Sequence, residues 1–168
     1  MSRRPVPPPD RLLAGMHGEA DHRGFLATHV AFRDEAGAPV LKLVDTGKSV
    51  LCMVERRCQA CGFDIARGDL IIFVGYSEDV TFKEPPLHLD CGVYSLGMCP
   101  ALITRHRREQ LRIVVCRDYE FLPKSEGRPP RCRPLPGADE HGREAPPVEY
   151  TVEELHRMLA ERASGQHE

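Results

Sequence analysis

Two pairs of metal-binding side chains constrain this chain more than any other sequence feature. Cys58 and Cys61 are separated by two residues, and 26 residues later His88 and Cys91 repeat that spacing. Zn²⁺ in structural sites takes four thiolate and imidazole ligands, and a two-residue gap directs both side chains of a pair at one ion. Gly62 suits the tight turn after the first pair. The sequence therefore predicts one structural zinc ion, closed by Cys58, Cys61, His88 and Cys91.

The segment between the two pairs predicts the architecture around the ion. Residues 70–74 form an apolar run typical of a strand, and residues 80–82 are predicted to return as a second strand. The second pair follows Pro85 and Pro86, where a helix can begin. A knuckle, a β-hairpin and a helix that carries the last ligands make a treble-clef-like arrangement. The predicted fold class is α+β, with a small zinc-stabilised treble-clef-like core, flanking strands and a C-terminal helix.

Composition along the chain divides it into four parts. The N-terminal part is rich in proline and charge, which predicts disorder, and a later stretch rich in Pro, Gly and Arg predicts a linker or irregular structure. The last part is amphipathic and opens with Thr151 and Glu154, a capping box. The predicted parts are a disordered N-terminus at 1–19, a zinc-containing α+β domain at 20–122, a linker or irregular segment at 123–148, and a helix at 149–163 packed on the domain.

Periodicity within the domain predicts further elements. Alternating or continuous apolar residues predict strands at 27–32, 40–44 and 112–121, and helical spacing predicts helices at 88–99 and 101–111. The stretch 48–57 fits either a strand face or a helix. A helix is favoured because Asp45 or Thr46 offers an N-cap.

The remaining cysteines are predicted to be outside the metal site. Cys99 is the main competitor, but it follows Cys91 by two helical turns, about 12 Å along a helix axis, so a buried thiol is the preferred interpretation. Cys52, Cys116 and Cys132 receive the same interpretation, although Cys132 lies in a polar stretch and an exposed position is open to it. An odd number of cysteines, seven, and the lack of an apolar leader favour a reducing, cytoplasmic location. The longest apolar run is far too short to span a membrane.

Charge and motifs exclude several function classes. The net charge of -2 argues against a globally basic nucleic-acid coat protein. No motif of a zinc deaminase, metalloprotease, serine hydrolase or phosphate-binding loop occurs, and His22 and His29 are predicted to be ordinary strand or loop residues. Arg105, Arg108 and Arg112 would share one helix face, which could contact nucleic-acid phosphates or simply face solvent.

Several segments of the chain also resemble a known group of proteins. The resemblance is carried by residues 21–24, 40–45, 55–62, 84–91 and 99–102, and by the final capped helix. In this order they resemble a group of small, mostly hypothetical zinc-binding, treble-clef-like proteins of actinobacteria and actinophages. The resemblance implies Cys58, Cys61, His88 and Cys91 as metal ligands and implies no activity. Such proteins often have Trp inside the first Cys pair, whereas this chain has Gln59 and Ala60 there and no Trp at all.

Three functions are compatible with these features. The leading hypothesis is a non-enzymatic, zinc-binding interaction or adaptor protein with an unknown protein partner, because the metal site is closed and no catalytic set accompanies it. The alternative is a nucleic-acid-binding treble-clef protein that uses the arginine face, with steep salt dependence as its signature. The third is an enzyme, such as a nuclease or a biosynthetic-cluster enzyme, which would need a polar cleft with convergent His and carboxylate groups away from the zinc.

Overall fold

The computed structural model describes residues 8–15, 26–76, 79–98 and 110–165, and within them the fold is α+β. The four helices of these ranges are α1 (Asp10–Gly15), α2 (Thr46–Glu55), α3 (Leu89–Met98) and α4 (Val152–Gly165). The strands are β1 (Ala31–Arg33), β2 (Pro39–Val44), β3 (Ile71–Gly75), β4 (Leu87–His88), β5 (Arg112–Cys116), β6 (Asp118–Leu122), β7 (Arg131–Leu135), β8 (Gly137–Ala138), β9 (Glu144–Ala145) and β10 (Val148–Tyr150).

The centre of the fold is an antiparallel sheet in the order β10-β5-β3-β4. Every residue of β3 is buried, as its uninterrupted apolar sequence requires of a central strand covered on both faces. Helix α3 packs closely on this strand, since a Cβ built on Gly92 would lie only 2.2 Å from Cγ2 of Ile72. The close packing places the first turn of α3 beside the sheet.

The predicted second strand of the hairpin, at 80–82, is wrong. The neighbours of β3 are β5 and β4, and within β4 His88 lies opposite Ile71. Phe82 instead forms an isolated antiparallel bridge with Cys132, and its ring stacks on Phe73 with centroids 5.4 Å apart. Because the Phe82 ring is buried in the core, this segment contacts β7, and β4 pairs with the edge of β3 instead.

The predicted single strand at 112–121 is also wrong, because the chain breaks at Arg117. Strand β5 stays in the central sheet, whereas β6 pairs with β7 in a separate hairpin. The guanidinium of Arg117 donates to the carbonyl of Gly68 and to Glu140, and these two bonds hold the break.

Strands β7, β8 and β9 lie in the segment 123–148, so the prediction of a linker or irregular structure is wrong for these residues. The reason is tertiary: Cys132 lies opposite both Phe82 and Phe121 and is completely buried. Its polar neighbours concealed this from the sequence.

Both predicted helix caps are confirmed. Asp45 is the N-cap of α2 and accepts a hydrogen bond from the Lys48 amide at 3.0 Å, so the helical interpretation of 48–57 is correct. At α4, the Thr151 and Glu154 side chains each accept from the other residue's amide at 3.1 Å. These local bonds depend on sequence neighbours alone, which is why periodicity and cap residues were enough to predict them.

The N-terminal part departs from its prediction of disorder where the structure describes it. Residues of α1 form a helix, Leu12 is 1% exposed, and Arg11 pairs with Asp90 at 3.1 Å. One well-placed leucine is enough to anchor such a short segment. The predicted helix at 101–111 lies almost entirely outside the described residues, as does His22.

Candidate metal centre

The first Cys pair lies in a tight turn directly after α2. The amide of Cys58 donates to the carbonyl of Phe63 at 2.9 Å, and the amide of Gly62 donates to the carbonyl of Cys58 at 2.8 Å. Gly62 has φ 77°, in the left-handed region that favours glycine. The backbone thus folds back on itself around the pair, and both cysteines are buried.

The second pair is presented by the junction of β4 and α3. His88 ends the strand and Cys91 lies in the first turn of the helix. Gln59, between the two cysteines of the first pair, links this pair to the residues just before the second pair. Its backbone amide donates to the carbonyl of Pro86 at 3.0 Å, and its side-chain amide donates to the carbonyl of Pro85 at 2.8 Å. Sequence reasoning treated Gln59 only as a departure from the resembling group and missed this contact.

The four predicted ligands come together into one buried cluster. One donor atom from each of Cys58, Cys61, His88 and Cys91 lies within 4.8 Å of all the others. Ligands about 2.3 Å from a tetrahedral ion are about 3.8 Å from one another, so the spacing suits an ion at the centre. Three thiols and one imidazole are also the donors that zinc prefers. This group could therefore hold a metal ion such as zinc.

The orientation of His88 supplies an independent test of that fit. Its Nδ1 lies 3.4 Å from Sγ of Cys61, whereas its Nε2 lies 3.0 Å from the carbonyl oxygen of Asp64. Since a carbonyl only accepts, Nε2 carries a proton and donates, and Nδ1 is the atom that would bind a metal ion once the ion displaces the proton held between it and the thiols. A metal-bound histidine usually makes such a hydrogen bond with its outer nitrogen, which fixes the ring and the tautomer.

The four side chains also shift one another's pKa values. Burial raises the pKa of the Cys58 thiol, but hydrogen bonds from Cys61, Cys91 and His88 outweigh burial and hold that pKa well below its ordinary value. Burial lowers the pKa of His88, whereas its bonds to Cys58 and Cys61 raise it to about 10. Hydrogen bonds to Cys58 and Cys61 raise the pKa of Cys91. The Cys58 thiolate is thus stabilised by neighbours that keep their own protons. A bound cation would have to displace those protons from the cluster.

His29 lies against the knuckle but outside the group of four. Its amide donates to the carbonyl of Ala60 at 2.8 Å, and a Cβ built on Gly62 would lie 2.7 Å from its Nδ1. Burial, followed by the charges of Lys48 and Arg57, lowers its pKa and favours the neutral ring. The prediction of an ordinary loop histidine did not foresee this packing, which only tertiary contact creates.

The other described cysteines are buried, and none belongs to the cluster. Burial raises the pKa of Cys52 and of Cys116 to about 12, so both are neutral thiols at pH 7. Cys132 is fully buried, and the exposed position that the sequence left open to it is wrong. Cys99 lies outside the described residues.

The predicted arginine face is wrong for Arg112. Arg112 lies in β5 and not on a helix, its Nε donates to Glu149 at 2.9 Å, and it also donates to the carbonyl of Asp79. Its guanidinium lies 5.5 Å from the centre of the Phe82 ring. The apolar run that follows Arg112 pairs with β3 and draws it into the sheet. Arg105 and Arg108 lie outside the described residues.

No helix in the described ranges is long and apolar enough to cross a membrane. Comparisons with protein-family models, with curated proteins and with solved structures found no match to this chain. Function is therefore inferred from the geometry of the chain itself.

Proposed function

We propose that this chain is a zinc-stabilised, non-enzymatic interaction protein that binds a protein partner. The observation that carries the proposal is the closed Cys₃His cluster of Cys58, Cys61, His88 and Cys91, whose members are all buried. A catalytic zinc usually keeps one coordination position for water or substrate, whereas four protein ligands leave none. One zinc ion held there would have a structural role.

The order of elements around the cluster supports a treble-clef-like core. The knuckle of Cys58 and Cys61 precedes β3, the chain returns through β4, and α3 follows at once with Cys91 in its first turn. Pairing of β4 with β3 brings His88 back toward the knuckle. A metal ion would then add a further link between the knuckle, β4 and α3, and its binding free energy would contribute to folding.

A wide cleft beside the metal cluster favours a non-enzymatic function. It has a volume of about 1030 Å³ and includes the ion pairs Arg11–Asp90 and Arg117–Glu140. Its histidine, His88, belongs to the metal cluster. An acid–base mechanism of the expected kind needs a histidine that is free to exchange protons, whereas the histidine of this cleft is part of the metal cluster.

Exposed apolar side chains near the knuckle support a protein partner. Leu51 and Val54 lie three residues apart on α2 and are 55% and 57% exposed, while Cys52 and Met53 between them are buried. Further exposed apolar residues precede and follow this helix, namely Phe32, Leu43, Val44 and Phe63. Scattered exposed apolar residues are ordinary, so the support for a partner comes from Leu51 and Val54, whose exposed side chains share one face of α2.

The test combines metal analysis with capture of a partner. Purified protein should contain about one zinc per chain, and wild type should retain a partner that the double variant Leu51→Asp, Val54→Asp does not. Val80→Asp is the matched control, because Val80 is 65% exposed but lies outside the segment 32–63. All three proteins should keep their zinc and their far-UV circular dichroism. Protein without a thiophilic metal, or a partner retained equally by both variants, would refute the proposal.

The nucleic-acid alternative has lost part of its support. Arg112 is already paired with Glu149 and does not share a helix face with Arg105 and Arg108. Binding of random duplex that falls steeply with salt would nevertheless restore it as the better explanation.

A further inference from the structure

A small polar recess lies beside the Phe82–Cys132 bridge, since the chain neighbours Thr81, Lys83 and Arg131 line it. Its volume is about 380 Å³, at the lower end of the range of small-molecule sites. The recess is lined by three cationic side chains, Lys83, Arg128 and Arg131, and by a single carboxylate among the described residues, Asp79. The excess of positive charge favours an anionic ligand.

Two of the three cations have no carboxylate within ion-pair distance among the described residues. Arg128 pairs with Asp79, whereas Arg131 forms no such pair and Lys83 acts on the carboxyl of Glu84 only at longer range. Phe82 and Cys132 exchange two backbone hydrogen bonds of 2.8 Å, and Lys83 and Arg131 are their immediate neighbours in the chain on the recess. Like charges gathered in one recess repel each other, so they cost stability unless an anion lies between them.

The Nε atom of Arg131 provides a second, independent observation. It is buried and has no hydrogen-bond acceptor among the described residues, whereas one Nη atom reaches the carbonyl of Pro129 at 3.4 Å. A buried donor without an acceptor is costly and uncommon in folded proteins. The two Nη atoms of the same guanidinium form a fork that can bind two oxygens of a phosphate or carboxylate.

We propose that this recess, which we call the Lys83–Arg131 site, binds the dianionic phosphate group of a small phosphate monoester or of inorganic phosphate. Two cations without an ion-pair partner among the described residues match a phosphate with its second proton removed, which is the main form above pH 6. A phosphodiester carries only one negative charge, and a duplex backbone needs a row of cations along a surface. The recess concentrates its cations at one point. The proposal does not depend on the metal cluster.

Calorimetric titration at low ionic strength tests the site with three probes: phenyl phosphate, inorganic phosphate and a random DNA duplex. Wild type should bind the first two, and Lys83→Ala should weaken this binding by about tenfold or more, since a charge-assisted bond to phosphate is lost. Arg131→Lys keeps the charge but removes the fork and should weaken it similarly. Tighter binding of phenyl phosphate would identify an ester as the ligand, and equal binding would identify free phosphate.

Lys124→Ala is the matched control, because Lys124 is exposed, lies on the neighbouring loop and does not line the recess. Its affinity should stay within about twofold of wild type, since an isolated surface charge contributes little. Lys83 is also exposed, so Lys83→Ala should fold normally, as thermal unfolding would verify. Absence of binding by wild type, equal losses in Lys83→Ala and Lys124→Ala, or tighter binding of duplex than of phenyl phosphate would each overturn the proposal.

Discussion

The ring of His29 covers Gly62 so closely that a Cβ on this glycine would lie 2.7 Å from Nδ1 and 2.8 Å from Cγ of the ring. The same glycine has φ 77° and closes the turn that holds Cys58 and Cys61. The knuckle thus depends on a residue with no side chain for two separate reasons, backbone conformation and space.

Gly62→Ala should therefore destabilise the protein by more than the cost of a left-handed alanine, which is about 1–2 kcal/mol. The additional cost comes from displacement of His29 and its hydrogen bond to Ala60. Gly37→Ala is the matched control, because Gly37 has φ 80° but nothing within 4 Å of its virtual Cβ. Urea unfolding of the two variants measures the difference, and equal losses of stability would contradict this role of His29.

Cys91→Ser should abolish stoichiometric zinc binding and cost several kcal/mol, because structural metal binding is part of the folding free energy. Cys132→Ser is the control, since Cys132 is equally buried but outside the cluster. It should lose about 1–3 kcal/mol for burial of a hydroxyl and keep its zinc. Zinc content and thermal unfolding are measured on both proteins. Loss of zinc from Cys132→Ser, or its retention by Cys91→Ser, would contradict the ligand assignment.

Gly92→Ala should loosen the contact between α3 and the central sheet. Its Cβ would lie 2.2 Å from Cγ2 of Ile72, a fully buried side chain of β3 that has little space to move. Overpacking of this kind typically costs about 1–3 kcal/mol, which exceeds the gain of about 1 kcal/mol in helix propensity. Because Cys91 precedes this glycine, zinc should also bind more weakly. Competition with a chromophoric chelator measures that affinity, and an unchanged value in a destabilised variant would separate packing from metal binding.

Glu149 should make a small contribution to the free energy of unfolding, and this contribution should be lost in acid. Its hydrogen bond from Arg112 holds the pKa of its carboxyl below the ordinary value. A lowered folded-state pKa contributes stability above the ordinary pKa of about 4.3, and this is lost as pH falls through the lower, folded value. The pair is half exposed, so Glu149→Gln should cost at most about 1 kcal/mol at pH 7 and nothing in strong acid.

Glu144→Gln is the control for that experiment, because Glu144 is exposed on β9 and forms no ion pair with any described residue. Its stability should stay close to that of wild type at pH 7. Urea unfolding over a series of pH values from 7 downward compares the three proteins, and a cost of Glu149→Gln that does not shrink as the pH falls would rule out the ion pair as its origin.

Local patterns in the sequence were sufficient for the helix caps and for the choice of metal-ligand candidates. The Asp45 cap and the Thr151–Glu154 box act over three residues, so they are encoded where they occur. The paired spacings of Cys58 with Cys61 and His88 with Cys91 are also short-range. The structure brings these four side chains together, and the group contains the same four residues that the sequence predicted.

Strand partners could not be predicted in the same way, because β propensity and alternation do not specify which strand lies alongside. Phe82 and Leu87 are both apolar and both follow β3, so either could have paired with it. Stacking on Phe73 and the backbone bridge to Cys132 take Phe82 to another strand, and Leu87 is left opposite Ile72.

By itself, then, the sequence determined the α+β class, the caps and the four candidate ligands, since each depends on residue type and short spacing. Tertiary structure alone decided that Cys132 is buried, that Arg112 pairs with Glu149 in a strand, and that His29 packs on Gly62. The physical reason is the same for all three. Their partners lie far away along the chain, and their positions follow from how the core fills space.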